Sequence, residues 1–161
     1  VLQTDIYIYN NTLYGNGWSG AMWSGQTGSL DFNHEALDRS TMIYFSNNII
    51  YSTGEPYMAA ESAELPAGDY RNCWYGNGEP PTWDSTAIND DPVFSDASAL
   101  NFQLQNGSSC IDGGKTVSTV VGRDLYGVPR PQGLWFDIGA YEHITGTVMT
   151  RTEMNLPLMF R

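Results

Sequence analysis

The chain has 161 residues, 41% of them hydrophobic and 13% aromatic, which is enough for one domain with a real core and too apolar for a disordered segment. Its net charge is −11, with seven basic residues against eighteen acidic ones, which argues against nucleic acid and anionic membranes as partners and lets an acidic polysaccharide in only through bridging calcium. No apolar run is long enough to span a membrane, and seventeen glycines with eight prolines favour turns over long helices.

The chain opens at Val1 in polar–apolar alternation, as expected of a segment cut from something longer. Ile6-Tyr7-Ile8-Tyr9 has strand patterning, and a short phrase follows that the chain repeats. Tyr9-Asn10-Asn11-Thr12-Leu13-Tyr14-Gly15 returns as Ser46-Asn47-Asn48-Ile49-Ile50-Tyr51-Ser52 and as Tyr70-Arg71-Asn72-Cys73-Trp74-Tyr75-Gly76. The offsets are 48 − 11 = 37 and 72 − 48 = 24, within the range of stacked repeat architectures. Asparagine tolerates the left-handed backbone region, so one such residue turns the chain sharply between two strands. Stacked repeats would align Asn11, Asn48 and Asn72 as an asparagine ladder at the strand spacing of about 4.8 Å. Leu13, Ile50 and Trp74 would then form an apolar column. The first position of each pair (Asn10, Asn47, Arg71) varies, and is expected to face solvent.

The 37-residue spacing leaves 37 − 24 = 13 extra residues on one side of a repeat, supplied by the Gly- and Ser-rich insertion at 17–40. Trp18 and Trp23 within it are candidate sugar-stacking residues. A loop follows at 55–67, and Pro80-Pro81 is expected to end the last repeat, because proline cannot donate to a strand ladder. Cys73 and Cys110 are an even count, open to two readings: a disulfide tying the third repeat to the C-terminal part, or two buried thiols.

The triple phrase resembles the coils of secreted right-handed parallel β-helix proteins, the architecture of pectate-lyase-like enzymes. A second block carries Asp91-Pro92-Val93-Phe94, Ser109-Cys110-Ile111-Asp112-Gly113-Gly114, Arg123-Asp124, Gly127, Pro129-Arg130-Pro131 and Asp137-Ile138-Gly139-Ala140-Tyr141-Glu142. This block resembles the closing segment of choice-of-anchor Q proteins, with Ser109-Cys110 where that family has Pro-Ala. The resemblance implies an all-β fold, a right-handed parallel β-helix of about three coils over residues 1–89, with an asparagine ladder. A β-rich closing segment at 90–143 and a tail or edge strand at 144–161 complete it. It also implies a secreted or cell-surface protein.

Lyases of this architecture use a Lys or Arg as base, and Arg71 is the one candidate in the repeats, with Asp69 beside it as an ion-pair partner. Asp90-Asp91 is the only adjacent acid pair and reads as turn chemistry. Asp112, Asp124, Asp137 and Glu142 either gather around Arg130 as a buried network or, for the first three, hold calcium through oxygen ligands. His34 and His143 have no spacing for zinc. No catalytic residue and no obligatory cofactor is therefore expected. The expected function is a non-catalytic extracellular structural or surface-anchoring module. Its expected partner is itself, head to tail through the apolar tail Leu156–Phe160, or a missing upstream domain. The alternatives are the C-terminal fragment of a polysaccharide lyase or glycoside hydrolase, and a polysaccharide-binding module.

Overall fold

Runs of β-branched and aromatic residues on either side of a two-residue corner dominate the first half of the chain. In the computed structural model, which describes residues 5–16, 28–30, 32, 42–59, 64–117 and 121–144, these runs are short strands. Strand β1 (Ile6–Tyr9) leads through Asn10-Asn11 to β2 (Thr12–Tyr14), and β3 (Ile43–Ser46) leads through Asn47-Asn48 to β4 (Ile49–Tyr51). The third corner, Arg71-Asn72, precedes β5 (Cys73–Tyr75). The turning residue is the first of each pair: Asn10, Asn47 and Arg71 have φ of 53°, 57° and 56°. An arginine in this region costs about 1–2 kcal/mol over its ordinary conformation, so something must hold it there.

Strand β1 pairs parallel with β3, and β4 pairs parallel with both β2 and β5. Ile6 lies opposite Ile43, Thr12 opposite Ile49 and Ile49 opposite Cys73, so equivalent residues of the repeated phrase sit side by side. Leu30 and Met58 make a further parallel bridge, so the described part of the insertion also joins its repeat to the next. Contrary to the sequence expectation, parallel pairing continues past Pro80-Pro81: Gly68 bridges Asp84 and Cys73 bridges Ile88. Ile88 donates to Asn72 O at 2.9 Å and accepts from Trp74 N at 2.8 Å without any asparagine phrase to mark it. The closing segment adds an antiparallel pair, β6 (Phe94–Asp96) and β7 (Asn101–Leu104). The fold is all-β, its sheets short and mixed, and among the described residues no helix is long and apolar enough to cross a membrane.

Side chains alternate across a strand, so the central sheet has two faces to bury. Ile50 and Trp74 enter one core with Phe45, Tyr57 and Trp83. Ile49 and Cys73 enter a second with Phe94, Leu104, Cys110 and Ile138. The closing segment thus covers the outer face of the repeats, and a sheet buried on both sides can carry the unbroken Ile49-Ile50 and Cys73-Trp74 pairs. Leu13, Ile50 and Trp74 lie in one register, with Ile50 and Trp74 fully buried and Leu13 half-buried. Tyr14, Tyr51 and Tyr75 make a second column, their ring centroids 4.8 and 5.0 Å apart. Trp18 and Trp23, most of the insertion, and the tail beyond residue 144 lie outside the described residues.

Gly76 and Gly78 follow β5 with φ of +112° and +98°, both unfavourable for other residues. A Cβ on Gly76 would lie 2.0 Å from Ser52 O of the neighbouring repeat, whereas one on Gly78 would meet nothing within 4 Å. Gly78→Ala should therefore cost only backbone strain, on the order of 1–3 kcal/mol, and Gly76→Ala clearly more. Denaturant midpoints check this, and equal losses for the two variants would mean that the neighbouring repeats do not approach this closely.

Candidate functional site

The second residue of each corner points toward the neighbouring repeat. Asn11 donates from its backbone N and its Nδ2 to Asn48 Oδ1, both at 3.0 Å. Asn48 donates in the same way to Asn72 Oδ1, at 2.8 and 3.1 Å. Asn72 donates to Asp84 Oδ2, at 3.2 and 2.9 Å. The remaining amide hydrogens reach strand carbonyls: Asn48 to Ile8 O at 2.9 Å and Asn72 to Phe45 O at 3.0 Å. The three asparagines expected as a ladder are thus bonded in series, each giving its backbone N and one amide hydrogen to the next side chain. Asp84 is the member that the sequence reading missed, because it belongs to no copy of the phrase. It lies 12 residues after Asn72, and its Oδ2 also receives Trp74 Nε1 at 3.0 Å. A carboxylate suits a site with three donors converging on one oxygen, and having no donor of its own it ends the series.

Two of the three first positions do not face solvent, which corrects the sequence expectation for them: Asn10 and Asn47 are buried, while the Arg71 side chain stays partly exposed. The reason is the closing segment, which runs along this column. Asn10 Nδ2 donates to Asp137 O at 2.8 Å. Asn47 Nδ2 donates to Lys115 O at 2.7 Å, and Asn47 Oδ1 accepts from Lys115 N at 3.0 Å. The Asn47 carbonyl takes Gly139 N at 2.8 Å. Arg71 Nη1 donates to Gly114 O at 3.2 Å, and its Nε pairs with Asp69 at 3.1 Å. Arg71, the candidate lyase base, thus binds chain, and the contact to Gly114 helps to hold its left-handed backbone. Each corner divides its labour: one side chain grips the neighbouring repeat, the other grips the closing segment.

Arg130 clamps the same closing stretch from its other side. It pairs with Glu142 at 2.6 Å, both side chains almost wholly buried, and donates to Gly139 O at 2.9 Å and Asp137 O at 3.2 Å. Asn10 and Arg130 therefore share Asp137 O as an acceptor. The acids proposed as calcium ligands do not converge. Asp112 accepts from Trp135 N at 2.8 Å, and Asp124 from Tyr126 N, Val128 N and Glu142 N at 2.8, 2.7 and 3.0 Å. Asp137 accepts from Asp112 N at 2.7 Å and from His143 N. Among the described residues no group of three or more His, Cys, Asp or Glu side chains is placed to hold a metal ion.

Cys73 and Cys110 are both buried and both free thiols; the structure brings them together without a disulfide. The hydrogen bond to Cys110 and burial hold the Cys73 thiol well above its usual range, so it is unreactive as a nucleophile. A groove of about 450 Å³ places Glu64 and Glu79 among Tyr57, Pro80 and Trp83. The two glutamates share no motif, and only the fold brings them to one groove. Comparison of the chain with protein-family models, with curated proteins and with solved structures gave no match.

Two predictions follow from this geometry. Asn47→Ala and Asn48→Ala each strand buried partners, so each should cost about 1–3 kcal/mol in a denaturant titration. A negligible loss for Asn47→Ala would return that side chain to solvent. The buried acid pair carries a pH dependence. Glu142 is pushed up to about 7 by burial and then by the Asp137 carboxylate, with Arg130 pulling the other way. Asp137 is raised by burial as well. The stabilisation from neutral Glu142 is whole below its ordinary 4.5 and is lost as pH rises through about 7. The melting temperature should fall across this window, and Glu142→Gln should flatten the fall. A wild-type slope unchanged in Glu142→Gln would place the titration elsewhere.

Proposed function

We propose that the chain is a non-catalytic, secreted or cell-surface structural module built as a right-handed parallel β-helix of about three coils and locked by its closing segment. The single observation that carries this reading is how the polar side chains of the corners and the clamp are used. Asn10, Asn11, Asn47, Asn48, Asn72, Arg71, Asp84, Arg130, Asp137 and Glu142 all bond to backbone or to one another. The equal register of repeated residues and the one-way amide series support the β-helix, in which identical side chains recur at the strand spacing. A low lysine content and a charge of −11 suit a soluble exterior outside the cell. The module's partner is a further coil stacked on its edge, either from another copy head to tail or from an upstream segment.

The rival reading, a carbohydrate-binding module or hydrolase fragment, has one observation behind it: Glu64 and Glu79 in one groove. Tyr57 and Trp83 in that groove are 4% and 3% exposed, however, and offer little ring face to a sugar. The purified chain should release no unsaturated or reducing ends from a panel of neutral and acidic polysaccharides, and should retain no glycan on an array. Turnover that Glu79→Gln abolishes would overturn the structural reading.

A further inference from the structure

The amide series has a direction, and its two ends differ. At one end Asp84 offers only acceptors. At the other end Asn11 has spent every donor: its backbone N and one amide hydrogen go to Asn48 Oδ1, and the other amide hydrogen goes to Tyr9 O at 3.0 Å. Among the described residues nothing donates to Asn11 Oδ1, whereas Asn48 Oδ1 and Asn72 Oδ1 each take a backbone N–H and a side-chain amide. The same edge breaks off the other columns. Asn11 is exposed and Leu13 half-buried, while Asn48, Asn72, Ile50 and Trp74 are 0% exposed. Tyr7 stacks on Tyr44 at 4.8 Å with rings 10° apart, yet stays 58% exposed. Among the described residues nothing pairs with the outer edges of β1 and β2. A recess of about 360 Å³ opens beside this corner, lined by Asn10, Asn11, Thr12, Arg123, Leu125 and Ala140.

We infer that the edge formed by β1, Asn11 and β2 docks a partner segment of strand–corner–strand form, running parallel to it and carrying an asparagine at the second corner position. This rests on the reading of the chain as a stacking module and selects its partner. The partner's asparagine supplies the backbone N–H and amide pair that Asn11 Oδ1 awaits. Its corner enters the recess, and its apolar residues complete the Leu13 column. A second copy of this chain does not meet the requirement. Stacked head to tail it brings the Asp84 layer, in which Asp84 is buried and its carboxylate has no donor to offer. Stacked edge to edge it brings a second Asn11, whose donors are spent. The donor pattern therefore favours a separate asparagine-bearing coil over the head-to-tail self-association expected from sequence.

The probe is a synthetic peptide copying residues 42–53, which carries the strand–corner–strand unit with Asn47-Asn48, titrated into the full chain. It should bind saturably, perturb the NMR resonances of Tyr7, Asn11, Thr12 and Leu13, and raise the melting temperature. Replacing the peptide's asparagine at position 48 by alanine should weaken binding about tenfold, one hydrogen-bonded pair's worth. Asn11→Ala in the chain should weaken binding of the parent peptide similarly. Absence of saturable binding, or equal binding by the alanine peptide, overturns the inference. So does concentration-dependent assembly of the chain alone that perturbs the same resonances, which would give the edge to a second copy. Polysaccharide turnover would count against the structural reading and leave the docking result standing.

Discussion

The fold depends on what happens at one residue, the left-handed corner between two short strands. Asn10, Asn47 and Arg71 sit there in turn with almost the same φ, and each reverses the relation between a pair of consecutive side chains. Because the turn takes one residue, the two side chains at the corner point to different neighbours. One column runs between repeats, and the other faces the closing segment. The parallel register of β1 on β3 and of β2 on β4 and β5 follows, since any slip would separate Asn11, Asn48 and Asn72 from one another.

The closing segment is held by the same economy of polar groups. Its backbone from Asp137 to Gly139 lies between Asn10 and Asn47 on one side and Arg130 on the other, all bonding to main-chain atoms. Gly139 is required there: its φ is +99°, and a Cβ would lie 2.6 Å from Ile49 Cδ1. Arg130 and Glu142 form a buried pair of the kind that contributes little net stability but is costly to break. Its effect is to fix one register for a segment that has few strands of its own.

The sequence made much of this legible, and its failures have physical causes. The repeated asparagine and the Ile-Tyr alternation were enough to place β1 to β5, because hydrophobic period and corner chemistry agree there. The outer corner position misled because variation among Asn10, Asn47 and Arg71 resembles solvent exposure, when Asn10 and Asn47 are buried against backbone of the closing segment and Arg71 also reaches it while staying partly exposed. Asp84 and the bridge at Ile88 were hidden because the last layer keeps the backbone pairing but replaces the asparagine phrase with a carboxylate. The acids of the closing block were read as ion ligands or a network around Arg130. Only Glu142 pairs with that arginine through its side chain, and the others accept backbone N–H groups that no sequence pattern specifies.

The central claim is that the second-position asparagines bond side chain to side chain in series from Asn11 to Asn72 and end on a carboxylate. Scalar couplings across hydrogen bonds, measured by NMR on isotopically labelled chain, address it bond by bond. The account predicts couplings from the backbone nitrogens of Asn11, Asn48 and Asn72 to the side-chain carbons of Asn48, Asn72 and Asp84 in that order. Their absence, with the backbone couplings between β4 and β5 plainly observed, would contradict it.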